Sequence, residues 1–138
     1  LTLGLVCTML YFSKSRQYKE LGKLSIIPGL FNINEPIIFG FPVVFNPIMA
    51  IPFILAPVIS AIMVYVSIAT GIVEPFRAIS VPWTTPFIIS GFLIGGVKAA
   101  ILQIAVFSMT VAVYFPFFKY QDKLAYQEEQ KIGTEATV

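Results

Sequence analysis

Phe31-Asn32-Ile33-Asn34-Glu35-Pro36-Ile37-Ile38-Phe39-Gly40-Phe41-Pro42 places a lone carboxylate inside an apolar stretch. Glu35 is the only charged residue between Lys23 and Glu74. An unpaired carboxylate at membrane depth costs about 3 kcal/mol on insertion scales and far more in simulations. A residue kept at that cost faces a cavity, a partner or a polar substrate. The same region breaks regular helix. Pro28, Gly29, Pro36, Gly40, Pro42 and Pro47 interrupt residues 24–47, and proline both removes a backbone donor and clashes with the preceding turn. Irregular backbone at membrane depth is tolerated only where protein or a water-filled cavity covers it. The expected structure is a re-entrant hairpin of two short helical pieces, bearing Glu35.

Composition places that hairpin in a membrane protein. Of the 138 residues, 57% are hydrophobic and 12% charged, and the mean hydropathy is +0.86. A soluble domain carries about 25% charged residues. The net charge of +2 is too small to point to nucleic acid. One cysteine, Cys7, rules out an internal disulfide and a cysteine-rich metal site. With no histidine, this sequence supplies no His-based triad, metal site or general base. No metal or cofactor is expected. Leu1 opens the sequence inside an apolar run that lacks the charged start of a signal peptide. It is therefore read as the C-terminal part of a longer polytopic protein.

Working outward, residues 1–13 are apolar but shorter than the ~20 residues of a span, and are expected to be the tail of a helix. Residues 14–23 carry Lys14, Arg16, Lys19 and Lys23 against Glu20 alone. They form the strongest positive loop, which the positive-inside rule puts in the cytoplasm. Residues 48–70 run 23 positions without a charge, long enough to cross, with Pro52 and Pro57 as kinks. Residues 71–86 are a polar interruption. Residues 87–97 are apolar, but at 11 positions suit a half-helix or a second re-entrant piece. Residues 99–118 are a charge-free run of 20, a good terminal span. The organisation is thus a membrane domain over 1–123 and a polar tail over 124–138, expected to be solvated and frayed. If 24–47 dips in and returns, both basic ends (14–23, and Lys119 with Lys123) fall on the cytoplasmic side. A full crossing there would put the tail outside.

Three constellations have chemical potential. Asn32, Asn34 and Glu35 gather two amides and a carboxylate, a mixture suited to sugar hydroxyls, which both donate and accept. The carboxylate also suits proton acceptance from an attacking hydroxyl, and Pro36 suits the first turn of a half-helix. The bland reading pairs Glu35 with a Lys or Arg elsewhere. Ser80-Val81-Pro82-Trp83-Thr84-Thr85-Pro86 holds the only tryptophan in an extended stretch; Trp83 is either a sugar-stacking ring or an interfacial belt residue. Lys98 snorkels to the interface or pairs with Glu74 or with a residue outside this sequence. The remaining signals carry no chemistry. Gly91 and Gly95 allow close helix packing. Cys7 has no base beside it. Tyr114-Phe115-Pro116-Phe117-Phe118 reads as an interface anchor.

The stretch Gly29-Leu30-Phe31-Asn32-Ile33-Asn34-Glu35-Pro36-Ile37-Ile38-Phe39-Gly40 resembles the signature of the membrane component IIC of phosphotransferase-system sugar permeases, in the lactose, cellobiose and diacetylchitobiose branch. Phe45-Asn46-Pro47 through Ala56-Pro57, Val81-Pro82-Trp83-Thr84-Thr85-Pro86 and the aromatic run at 114–118 resemble it too, so the likeness covers residues 29–123. Around Gly95-Gly96 the sequence is shorter than that family's, where a polar insertion often follows the glycines. The resemblance implies an all-α polytopic protein of the bacterial inner membrane, homodimeric in full-length form, with a cytoplasmic C-terminus. It implies binding of a disaccharide and its inward movement by a rocking or elevator-like change. The sugar 6-hydroxyl is phosphorylated from a phosphocysteine on a separate IIB protein or domain. By resemblance Glu35 is the carboxylate near that hydroxyl, Asn34 its neighbour in the sugar site, and Trp83 the stacking ring. The family's partner histidine is expected upstream, and Cys7 is in the wrong setting to be the phosphocysteine. No independent phosphoryl-transfer activity is expected of this segment alone.

Two alternatives come from other classes. In an ion-coupled secondary transporter, Glu35 would carry a proton or cation at a broken helix. In a structural membrane subunit, Glu35 would only lock helices together.

Overall fold

A computed structural model describes residues 2–41 and 45–135. Pro42, one of the expected helix breakers, and positions 136–138 of the expected tail lie outside the described residues. Among the described residues five helices follow in order: α1 (Thr2–Phe12), α2 (Arg16–Leu30), α3 (Glu35–Gly40), α4 (Pro47–Ala69) and α5 (Phe87–Glu135). Among the described residues there is no strand.

The expected hairpin forms. Its first piece is α2 and its second the short α3, joined by a tight turn. Residues 14–23, expected as a loop, are mostly helical: α2 starts at Arg16, so Arg16, Lys19 and Lys23 lie on its N-terminal half and Lys14 just before it. The reason is a good N-cap. Ser15 is extended, and its Oγ accepts the Tyr18 N–H at 3.4 Å.

α4 is the predicted span. Asn46 caps it by accepting the Ile48 N–H at 3.0 Å, and Pro47 opens its first turn. Its 23 residues rise about 35 Å at ~1.5 Å each, enough for a bilayer core of ~30 Å. Ile54, Ile62 and Tyr65 stand exposed along it, as a lipid-facing surface requires.

α5 contains the second predicted break. Gly96 has φ 71° and ψ −160° and divides the short apolar piece at 87–95 from the long helix beyond it. The two pieces fold back antiparallel. Phe87 stacks on Phe107 with ring centroids 5.4 Å apart. A Cβ on Gly91 would meet the Gln103 amide, and one on Gly95 would meet Ala99, 2.6 Å away. The Gly91/Gly95 spacing is therefore the contact face of this hairpin. In lipid, where helix association rests on packing instead of water exclusion, such close approach is a main source of cohesion.

The tail differs from expectation: α5 continues through it to Glu135. Two carboxylates near this end, Asp122 and Glu129, have partners. Asp122 is buried and accepts from Ser13 Oγ at 2.6 Å, Lys14 N–H at 2.8 Å and Ser15 N–H at 3.1 Å. Two turns on, Glu129 accepts from Ser15 Oγ at 2.5 Å and from the Arg16 and Gln17 N–H groups, each at 3.2 Å. These bonds satisfy donors that the start of α2 would otherwise leave free. The aromatic run also differs. Tyr114 and Phe118 are core residues, and Phe115 packs edge-on against Phe12, ring centroids 4.9 Å apart.

The core joins all five helices through Leu5, Met9, Tyr18, Ile37, Met49, Ala56 and Tyr114. At one end Tyr18, Phe41 and Phe118 form a ring cluster, with Tyr18 edge-on to Phe41 at 4.8 Å. It anchors both ends of the α2–α3 hairpin, leaving the turn between them as the exposed feature.

Candidate functional site

The turn that carries Glu35 begins where α2 ends. Ile33 N–H donates to Pro28 O at 3.0 Å and Asn32 N–H to Gly29 O at 3.1 Å. This paired pattern closes a helix when the next residue turns left-handed. Asn32 does so with φ 61°, the only positive φ outside glycine among the described residues. Asparagine tolerates that conformation better than other residues with a Cβ.

Asn34 then starts α3. Its carbonyl accepts from the Ile37 and Ile38 N–H groups at 3.1 and 3.0 Å. Pro36 takes the first turn as expected. The Asn34 side chain does not cap the helix. Its Oδ1 instead accepts the Thr2 hydroxyl of α1, which fixes the turn against the neighbouring helix. Glu35 is the first helical residue and is exposed. No Lys or Arg among the described residues pairs with it; the ion pair present is Lys23 with Glu20 at 2.7 Å. Lys98 and Glu74 do not pair with each other either.

The other half of the site comes from the irregular segment after α4. Arg77 N–H donates to Ile94 O at 3.0 Å, tying the segment to the α5 hairpin. Thr85 N–H donates to Pro82 O at 3.0 Å, closing a turn with Trp83 and Thr84 at its centre. The Trp83 side chain is 68% exposed. Asn32 joins the halves: its Nδ2 donates to Trp83 O at 2.9 Å and to Thr85 O at 2.8 Å. The turn bearing Asn34 and Glu35 and the turn bearing Trp83 are thus linked, although no direct bond joins the Glu35 and Trp83 side chains.

Sequence reasoning included Asn32 among the amides but gave it no separate role. Its signal was the αL preference of asparagine just past Pro28-Gly29. A cavity of about 330 Å³ lies beside this link, lined by Leu3, Asn32, Ser60, Phe87, Gln103 and Thr110 among others. The Gln103 Oε1 is buried there without a hydrogen-bond partner. Glu35, Asn34 and Trp83 do not line it. No group of three or more metal-ligating side chains occurs among the described residues.

Apolar helices of membrane length, two helical hairpins and an exposed carboxylate on a broken helix define an all-α membrane transporter fold. A profile of the family "Phosphotransferase system, EIIC" matches residues 1–57. Relatives named as components of such systems extend the likeness over 94–95% of this chain. The putative permease IIC component YwbA of Bacillus subtilis (strain 168) is 47% identical over 133 residues, 95% of this chain and 30% of the relative. The cellobiose-specific EIIC component of Geobacillus stearothermophilus is 50% identical over 131 residues, 94% of this chain and 29% of the relative. The solved structure of the transporter ChbC, the IIC component from the N,N'-diacetylchitobiose-specific phosphotransferase system, superposes with a TM-score of 0.91 at 45% identity. It covers 94% of this chain and 30% of that one. The chain therefore spans about 30% of the length of these relatives.

Proposed function

We propose that this sequence forms part of the sugar-binding membrane domain of a phosphotransferase-system permease for a disaccharide of the cellobiose, diacetylchitobiose or lactose type. Residues 1–123 belong to the IIC membrane domain and 124–138 are its cytoplasmic end. The permease sits in the bacterial inner membrane as a multi-pass homodimer and works with a IIB phosphocarrier. The likeness to that family supports the class. The observation that carries the site is the pair of bonds from Asn32 to Trp83 O and Thr85 O, which holds an aromatic ring and an unpaired carboxylate on adjoining turns.

In this reading Trp83 stacks on an apolar sugar face, Asn34 lies at the edge of the site, and Glu35 accepts a hydrogen bond from the sugar 6-hydroxyl. During transfer the phosphocysteine S–P bond of IIB breaks and an O–P bond forms at that hydroxyl. Its proton passes to the Glu35 carboxylate, and the cysteine leaves as thiolate. General-base help of this kind is worth about 100-fold or more. Glu35→Gln in the intact permease is therefore expected to lower IIB-dependent sugar phosphorylation by at least about 100-fold. Sugar binding and phosphorylation both near normal in that variant would overturn the reading. The relatives favour this reading over an ion-coupled transporter.

A further inference from the structure

We infer that Asn32 is a positioning residue of the sugar site: its side-chain amide sets where Trp83 stands relative to Glu35. The inference rests on the proposed roles of Glu35 and Trp83. Three features meet at this one residue. Its backbone is left-handed at φ 61°, so the side chain leaves the α2 terminus in a direction a right-handed residue cannot reach. Its two amide protons are used on two carbonyls of one turn, at 2.9 and 2.8 Å. Those carbonyls belong to Trp83 and Thr85, on either side of Thr84, so the amide grips the turn that presents the indole.

The geometry also explains why asparagine stands here. Aspartate tolerates the same backbone but has no proton to donate and would aim negative charge at two carbonyls. Glycine frees the backbone but has no amide. Glutamine has the amide, but a longer arm and a weaker left-handed preference. Only asparagine meets both demands. The other contact fixing the Trp83 turn from inside, Thr85 N–H to Pro82 O, shapes the turn and does not attach it to α2–α3. Removing the Asn32 amide therefore leaves the turn formed but free to shift away from Glu35.

The test is a double-mutant cycle on disaccharide affinity and phosphorylation in the intact permease, with Asn32→Gly, Asn32→Asp, Trp83→Ala and the combination of Asn32→Gly with Trp83→Ala. Two lost hydrogen bonds predict about a tenfold rise in Kd for each Asn32 variant. Asn32→Gly and Asn32→Asp both keep the left-handed backbone accessible, so a weakening common to both reports the amide. In the Trp83→Ala background the Asn32→Gly effect is expected to shrink to about threefold or less, because the ring that Asn32 positions is gone. Wild-type affinity in Asn32→Gly, or fully additive effects in the double variant, would overturn the positioning role alone. Unchanged affinity in Trp83→Ala would overturn both this role and the sugar-site reading beneath it. Should Asn32→Gly not reach the membrane, Asn32→Asp carries the same comparison.

Discussion

Asp122 accepts a hydroxyl and two backbone N–H groups from the connection between α1 and α2. Asp122→Ala removes the acceptor of all three donors and strands the buried Ser15 N–H, at about 1–3 kcal/mol for an unsatisfied group. We expect a total loss of about 2 kcal/mol or more, seen as a lowered unfolding midpoint in detergent. Gly4 is a second sensitive point. A Cβ there would lie 2.8 Å from Thr110 Cγ2 and 3.3 Å from the Val111 nitrogen. Gly4→Ala should destabilise by about 1–3 kcal/mol, and adding Thr110→Ser, which removes the offending methyl, should recover part of the loss in the same assay. Neither residue stood out in the sequence. Asp122 stands among mixed charges just past the last apolar run, and partners more than a hundred positions away leave no local signature. Glu35 was more legible, since an isolated carboxylate in an apolar run breaks a local rule.

At the scale of elements, α2 is held to α5 by Glu129 as well as Asp122. The hydrogen bond from Ser15, helped by the Gln17 and Arg16 N–H groups, holds the Glu129 carboxyl below its ordinary value of 4.5. A depressed carboxylate pKa stabilises the folded state above the unfolded value, and that contribution is lost as pH falls through the folded value. The Arg16 and Gln17 amides should therefore be protected from hydrogen exchange at neutral pH and lose protection once pH drops below that ordinary range, after correction for intrinsic rates. Glu129→Gln should lower the protection at neutral pH and flatten the pH dependence. The α5 hairpin makes a separate prediction. Gly96→Ala forces alanine into a backbone region, φ 71° with ψ −160°, that essentially only glycine adopts, and should cost about 1–3 kcal/mol. Gly91→Ala should also lower stability, because its Cβ falls on the Gln103 amide, and Gln103→Ala should relieve it in the same unfolding assay. The proline and glycine pattern predicted the α2–α3 hairpin, and the shortness of the apolar run at 87–97 predicted the half-helix before Gly96. Neither predicted that the basic stretch is helical, because the caps that start α2 there come partly from α5.

For the whole molecule, contact between Ser13–Gln17 and the α5 carboxylates means that the α1–α2 connection and the polar end of α5 lie on one side of the membrane. The charge pattern had suggested the same pairing from two basic ends. With Cys7 replaced by Ser, single cysteines at Lys14 and Lys131 should both react with a membrane-impermeant maleimide from the cytoplasmic face, and neither from outside. Labelling of the two from opposite faces would contradict the fold; labelling of both from outside would invert the proposed orientation.

The sequence by itself determined the membrane class, the two breaks in helix and the position of the lone carboxylate. Each follows from near-neighbour chemistry: hydropathy over a window, proline's missing donor, the cost of a charge in lipid. Tertiary structure decided the rest. It docked the polar tail on the start of α2, moved Tyr114 and Phe118 into the core, and joined the Glu35 turn to the Trp83 turn through Asn32. Those outcomes depend on hydrogen bonds and ring contacts between residues fifty to more than a hundred positions apart. Such pairs form only when the helices have already brought them together, so no local pattern records them.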